Sequence, residues 1–142
     1  MKEDEEVREV GLTRLESQHP NYVTPEGLRR LRERLSEAEA SGAERDIAYL
    51  RRRIENAIVV DPATQPWDVV AFGATVTVEE PGDRQRVFTI VGEDQADPTH
   101  GTISWISPLA AALLGHRVGD RVLWKRPAGD LPLTIRAIEY RT

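Results

Sequence analysis

Near Asp68 the spacing of apolar residues in this 142-residue chain changes from about 3.6 to 2. Upstream, Leu28, Leu31, Leu35 and Ala38 recur at intervals of three and four, and Ile47, Leu50, Ile54 and Ile58 follow on a second stripe. Downstream, Ala74, Val76 and Val78 alternate with Thr75, Thr77 and Glu79. The first spacing buries one stripe of a helix, and the second buries one face of a strand. No single element satisfies both. The chain is therefore expected to be α+β, with its helices first and its sheet second.

The helical half has clear punctuation. Thr24-Pro25-Glu26 is a start signal, because Thr24 can cap free backbone N–H groups and Pro25 loses nothing at the first helical position. Ser41-Gly42 interrupts the run, since glycine readily takes the left-handed conformation that ends helices. Two amphipathic helices joined by so short a turn are expected to run antiparallel and bury their stripes against each other. Arg29, Arg30, Arg32, Arg34 and Arg51 to Arg53 are assigned to the outer faces. Eight basic and seven acidic side chains between Thr24 and Ile58 suit solvated helix surfaces.

Residues 1–20 read as an acidic tail, 21–60 as the helical hairpin, 61–67 as a linker stopped by Asp61-Pro62, and 68–142 as the sheet domain. In that last segment VVAFGATVTVEE, RVFTIVG, TISWI, RVLWK and PLTIRAIEY read as strands of an antiparallel sheet. SPLAAALLG reads as one short helix, with Pro108 near its start and Gly115 at its end.

Composition narrows the function. The chain has no cysteine, which removes disulfides, thiolate nucleophiles and cysteine zinc sites and fits a cytoplasmic location. No apolar run approaches a membrane span of roughly 18 residues, and MKEDEEVREV has no apolar core to act as a secretory signal. A net charge of -5 disfavours general binding to nucleic acid, which needs phosphate neutralisation. A protein partner or small ligand is the better expectation. His19, His100 and His116 lack helical metal-site spacing, so no metal site is assigned. Ser104, Ser107, His100, His116 and Asp120 could supply a nucleophile, base and orienter, but no nucleophile elbow marks them. Around the Ser41-Gly42 turn, Glu37, Glu39, Glu44 and Asp46 have two readings. They could present oxygen ligands to Mg2+, or the acids of the second helix could simply complement its dipole.

Taken in order, NYVTPEGLRRLRERL, RRRIENAIVVDP, VAFGATVTVEE, FTIVGEDQADPTHGTISWISPLAAALLGHRVGD and RPAGDLPLTIRAIEY resemble the GreA/GreB bacterial transcription elongation factors, from about Asn21 to Tyr140. The resemblance implies an N-terminal antiparallel coiled coil and a C-terminal FKBP-like domain, in which an antiparallel sheet packs on a short helix. It further implies docking at the rim of the RNA polymerase secondary channel, with Ser104, Ser107 and Pro108 on the docking surface. Any RNA or DNA contact would be confined to the polymerase complex. The hairpin tip, here Glu39, Glu44 and Asp46, would be the part that approaches polymerase-held Mg2+. No intrinsic cofactor and no catalytic residue of the chain's own is implied, because the polymerase is the enzyme.

One departure bears on mechanism. The resemblance gives cleavage-active members much longer hairpins, with a G-D-x-x-E-N-type tip, and Ser41 to Asp46 does not match that tip. A helix from Thr24 to Ala40 is only about 25 Å long. Liganding Mg2+ requires approach to about 2.1 Å, so transcript-cleavage stimulation is not expected. The layout is also similar to Rnk, a short-hairpin relative, which suggests a competitor that occupies the channel without cleavage. A more remote alternative is peptidyl-prolyl isomerase activity, which would need an apolar, aromatic-lined pocket built from residues such as Phe72, Phe88, Trp105, Trp124 and Tyr140.

Overall fold

The structure, a computed structural model, describes residues 17–141. The expected acidic tail therefore lies outside the described residues except at 17–20. Helix α1 spans Pro25–Ser41, and the Thr24 hydroxyl caps it by accepting the Gly27 N–H at 2.9 Å. Gly42 ends it in the left-handed conformation, φ 73°, which a side chain would resist. Helix α2, Glu44–Glu55, packs back against α1. Leu31, Ala38 and Leu50 are buried between them, with Leu28, Leu35, Ile47 and Ile54 flanking.

The second helix is shorter than its apolar stripe suggests. It ends at Glu55, and Ile58 belongs to a strand and is 46% exposed. Strand β2, Ala57–Val59, pairs in parallel with β1, Asn21–Val23, so two short strands tie the base of the helical pair together. The Ile58-Val59-Val60 run is β-branched and favours extended backbone once a partner strand is present. Spacing alone cannot see that partner.

Five strands form the main sheet: β3 Thr75–Glu80, β4 Arg84–Val91, β5 Thr102–Ser104, β6 Arg121–Trp124 and β7 Leu131–Glu139, in the order β5-β4-β3-β7-β6. Two expectations need correction. The first strand begins at Thr75 rather than Val69, because the preceding segment bonds elsewhere: Val70 to His116 and Gly115, and Ala71 to the Tyr140 hydroxyl. The sheet is also only mostly antiparallel, since β5 runs parallel to β4 after the 92–101 connection.

Helix α3, Pro108–Leu113, contacts β5 and β6, the two edge strands, so the sheet must curl around it. Val76, Val78, Ile90, Leu113, Leu133 and Ile135 are fully enclosed beneath. A bulge in β7 shifts its register between Ala137 and Ile135. It leaves Arg136 outside, where its Nε donates to Glu79 at 2.6 Å. It also moves the inward phase from Leu133 and Ile135 to Ile138 and Tyr140, which pack on the same core.

The helical pair meets the sheet domain closely. A Cβ on Gly92 would stand 2.3 Å from the Tyr22 carbonyl oxygen, a backbone atom that cannot swing away. A Cβ on Gly27 would press on the end of the Gln95 side chain, at 2.5 Å, and touch the Thr24 hydroxyl at 3.4 Å, both side-chain atoms that can shift. Gly92→Ala should therefore destabilise the fold by about 1–3 kcal/mol. Gly27→Ala, offset by better helix propensity, should stay within about 1 kcal/mol of the parent. Chemical denaturation of both variants checks the contrast.

Candidate functional site

Three places carry the functional candidates: the tip between α1 and α2, the start of α3, and the junction that joins the helical pair to the sheet. At the tip, the turn is closed by backbone bonds from Ala43 to Ala38 and from Gly42 to Glu39. Glu39 Oε2 accepts from Arg51 Nη2 at 2.9 Å in an exposed ion pair across the helical pair. Glu44 is exposed and Asp46 half-buried, both in the first turn of α2, where their charge complements the helix dipole. Among the described residues no three His, Cys, Asp or Glu side chains group closely enough to hold a metal ion. The tip is therefore acidic without forming a chelating cluster.

At the start of α3, the candidates adjoin one another. Ser104 ends β5, and its Oγ accepts the Ile106 N–H at 3.3 Å. Ser107 is the N-cap of α3, its Oγ accepting from Ala110 at 3.2 Å, and Pro108 is the exposed first helical residue. Ile106 stands between them, 37% exposed. Leu109 and Leu113 are in the core and Leu114 packs partly against it, so the outward surface is Ile106 and Pro108 framed by the two serines. His100 pairs with Asp97 at 2.6 Å and His116 with Asp120 at 3.1 Å. The two serine hydroxyls bond backbone instead, so these residues do not assemble a nucleophilic triad.

The junction contains the residues that sequence reasoning missed. Arg53, assigned to an outer face, is buried. Its Nε donates to Asp94 Oδ2 at 2.6 Å, its Nη2 donates to Asn21 Oδ1 at 2.6 Å, and its carbonyl accepts from Asn21 Nδ2 at 2.7 Å. Asp94 takes a second bond from the Tyr49 hydroxyl at 2.5 Å. Thr24 donates to Gln95 at 2.9 Å while it caps α1. Beside this network the Tyr22 ring meets Trp105 edge-on at 5.0 Å and Phe72 at 6.0 Å. The only hint in the sequence was three consecutive arginines beside an apolar stripe, and the 3.6 period leaves one of three consecutive residues near the buried side. Asp94 lies 41 residues away in the chain, too far for local patterning to reveal the pair.

The fold is thus a short helical arm joined to a curled sheet through a buried ion pair and the hydrogen bonds around it. Residues 64–140 match the family model described as "Transcription elongation factor, GreA/GreB, C-term". The chain is 40% identical over 115 residues to the transcription elongation factor GreB of Neisseria meningitidis serogroup B, covering 80% of this chain and 65% of the relative. It is 33% identical to GreA of Desulfovibrio desulfuricans, covering 94% of this chain and 88% of that protein. A solved GreA/GreB factor from Nitrosomonas europaea aligns with 84% of this chain and 99% of its own, at 27% identity and TM-score 0.48. The chain belongs to the GreA/GreB family. It spans about 65% of the length of the GreB relative it matches.

The junction yields two predictions. Asp94→Leu, which strands Arg53, should cost about 3–5 kcal/mol, and Arg53→Met/Asp94→Leu should recover most of that loss in denaturant titrations. Burial, then the Asp94 bond, pushes the Tyr49 hydroxyl up to about 12 from its ordinary value of 10. The folded state favours the neutral phenol, so this contribution is whole below pH 10 and is lost as pH rises from 10 to about 12. The stability difference between the parent and Tyr49→Phe should be flat up to pH 10 and shift against the parent above it.

Proposed function

We propose that this chain is a regulator of transcription elongation that binds RNA polymerase at the rim of the secondary channel and does not stimulate transcript cleavage. The observation that carries the first half is family membership, spanning 64–140 by the family model and most of the chain in relatives named transcription elongation factors. The sheet domain, with its FKBP-like arrangement of a curled sheet on one short helix, is the docking part, and Ser104, Ser107 and Pro108 frame its contact surface. Ile106, exposed between them, supplies apolar area to the same surface. The hairpin is the truncated equivalent of the family's coiled coil.

The second half rests on reach. Helix α1 has 17 residues, an arm of about 25 Å. At its end, Glu39 is paired with Arg51 and the acids do not group around a common point. A tip that falls short of the reaction centre by several ångströms cannot ligate Mg2+, whatever its charge. Occupying the rim without delivering acids makes the molecule a competitor of longer factors, as in the Rnk-like reading. The isomerase alternative finds no support in the aromatic residues. Phe88 is 6% exposed and meets Trp124 edge-on at 6.2 Å, while Arg86 and Arg126 cover the Trp124 ring. These rings pack on each other rather than lining a pocket.

Ser107→Asp with Pro108→Ala tests the docking surface, because aspartate keeps an oxygen to cap α3 while adding charge. Immobilised polymerase should capture the parent, and the double variant should bind about tenfold more weakly. Equal capture would remove those residues from the interface. On a backtracked elongation complex the parent should leave the RNA uncut and slow cleavage by an added full-length GreB. Stimulated cleavage that disappears in Glu44→Ala/Asp46→Ala would overturn the reach argument.

A further inference from the structure

A cavity of about 450 Å³ opens where the base of the arm, the 61–64 turn and the outer face of the sheet meet. That volume falls in the range of small-molecule sites, about 300–1,000 Å³, and junctions between structural units are where such sites concentrate. Pro25, Pro62 and Val91 give it apolar walls. Its floor is polar: the Thr75 and Thr89 hydroxyls bond each other at 2.9 Å, and Gln95 stands beside them. Gln95 accepts from Thr24 through Oε1, which leaves its carboxamide N–H groups to donate.

Charges of both signs stand at the mouth. Arg141 uses its Nε on Glu139, and among the described residues its two terminal guanidinium nitrogens make no further hydrogen bond. Asp61 spends one oxygen on the Ala63 N–H and keeps the other. Glu26 also lines the opening, but hydrogen bonds from Arg29 and then Arg30 hold its carboxyl down at about 2 and offset its charge. A phosphate would face the Asp61 carboxylate here, and a simple cation would face a guanidinium. A molecule with both charges and an apolar body meets every wall.

We propose that this cavity binds a small zwitterion with an aliphatic body, an α-amino acid of about leucine's size being the simplest. Its carboxylate is received by Arg141 and Gln95, its ammonium by Asp61, and its side chain by the two prolines and Val91. Because Thr24 belongs to the arm, Pro62 to the turn, and Thr75 and Thr89 to the sheet, the occupant touches all three and stiffens the arm against the domain. Binding at this cavity requires no polymerase and is tested on the isolated chain.

Titration of the isotope-labelled protein with L-leucine, followed by amide chemical shifts, should move Thr24, Thr75, Thr89 and Gln95 in a saturable way. Leucinamide, without the carboxylate, and 4-methylpentanoate, without the ammonium, should each bind about tenfold more weakly. Asp61→Asn, which retains a capping oxygen for Ala63, and Arg141→Gln should weaken leucine by a similar factor. Both residues are exposed, so neither variant threatens the fold. Failure of L-leucine, isoleucine, valine and methionine to shift those amides at their solubility limits would overturn the proposal. So would binding of either truncated analogue as tightly as leucine, or leucine affinity unchanged in either variant.

Discussion

A charge taken out of water must be repaid at close range, and that requirement organises the middle of this molecule. Arg53 sits on α2 but is 5% exposed, and Asp94 answers it from the loop after β4. Asn21, on β1, both accepts from the Arg53 guanidinium and donates to its carbonyl. The pair therefore joins the arm, the strand at its base and the sheet domain in one bonded group. A buried ion pair adds little net stability compared with apolar packing. Here it bridges the arm and the sheet domain, as does the close approach of Gly92 to the Tyr22 backbone, and both contacts bear on the direction of the arm.

Direction matters because the arm is short. A long coiled coil can bend along its length and still reach a distant target, whereas an arm of about 25 Å ends where its base points. The tip has spent Glu39 on the Arg51 contact and carries Glu44 and Asp46 where they suit the helix dipole. These acids stabilise the arm as built. This arrangement is compatible with the proposed rim-occupying role. The cavity beside Thr24 lies at the same joint.

Much of the fold was legible along the chain, and the misses share a cause. The cap at Thr24, the stop at Gly42, the two helices on either side of that stop and the five strands of the main sheet follow from side-chain period and backbone preference, which are properties of a few neighbouring residues. Ile58 continued the helical stripe but went into β2, because a strand 36 residues earlier was waiting to pair with it. The run from Val69 looked like a strand but gave its backbone bonds to His116, Gly115 and Tyr140. The assumption of an antiparallel sheet failed at β5, whose direction is set by how the 92–101 connection folds back. Of the candidate site, the serines and Pro108 did turn out adjacent at one helix start, because they are neighbours in the chain.

By itself, then, the sequence determined the three helices, the five strands of the main sheet, their order, and the family, since each depends on local pattern or on matching residues in series. Only the tertiary structure decided that Arg53 lies inside, that Tyr22 packs on Trp105, that β7 needs a bulge to keep both ends of its inner face in the core, and that a cavity opens beside Thr24. Those features join residues tens of positions apart. Their energies come from desolvation and packing between surfaces that exist only once the chain has folded.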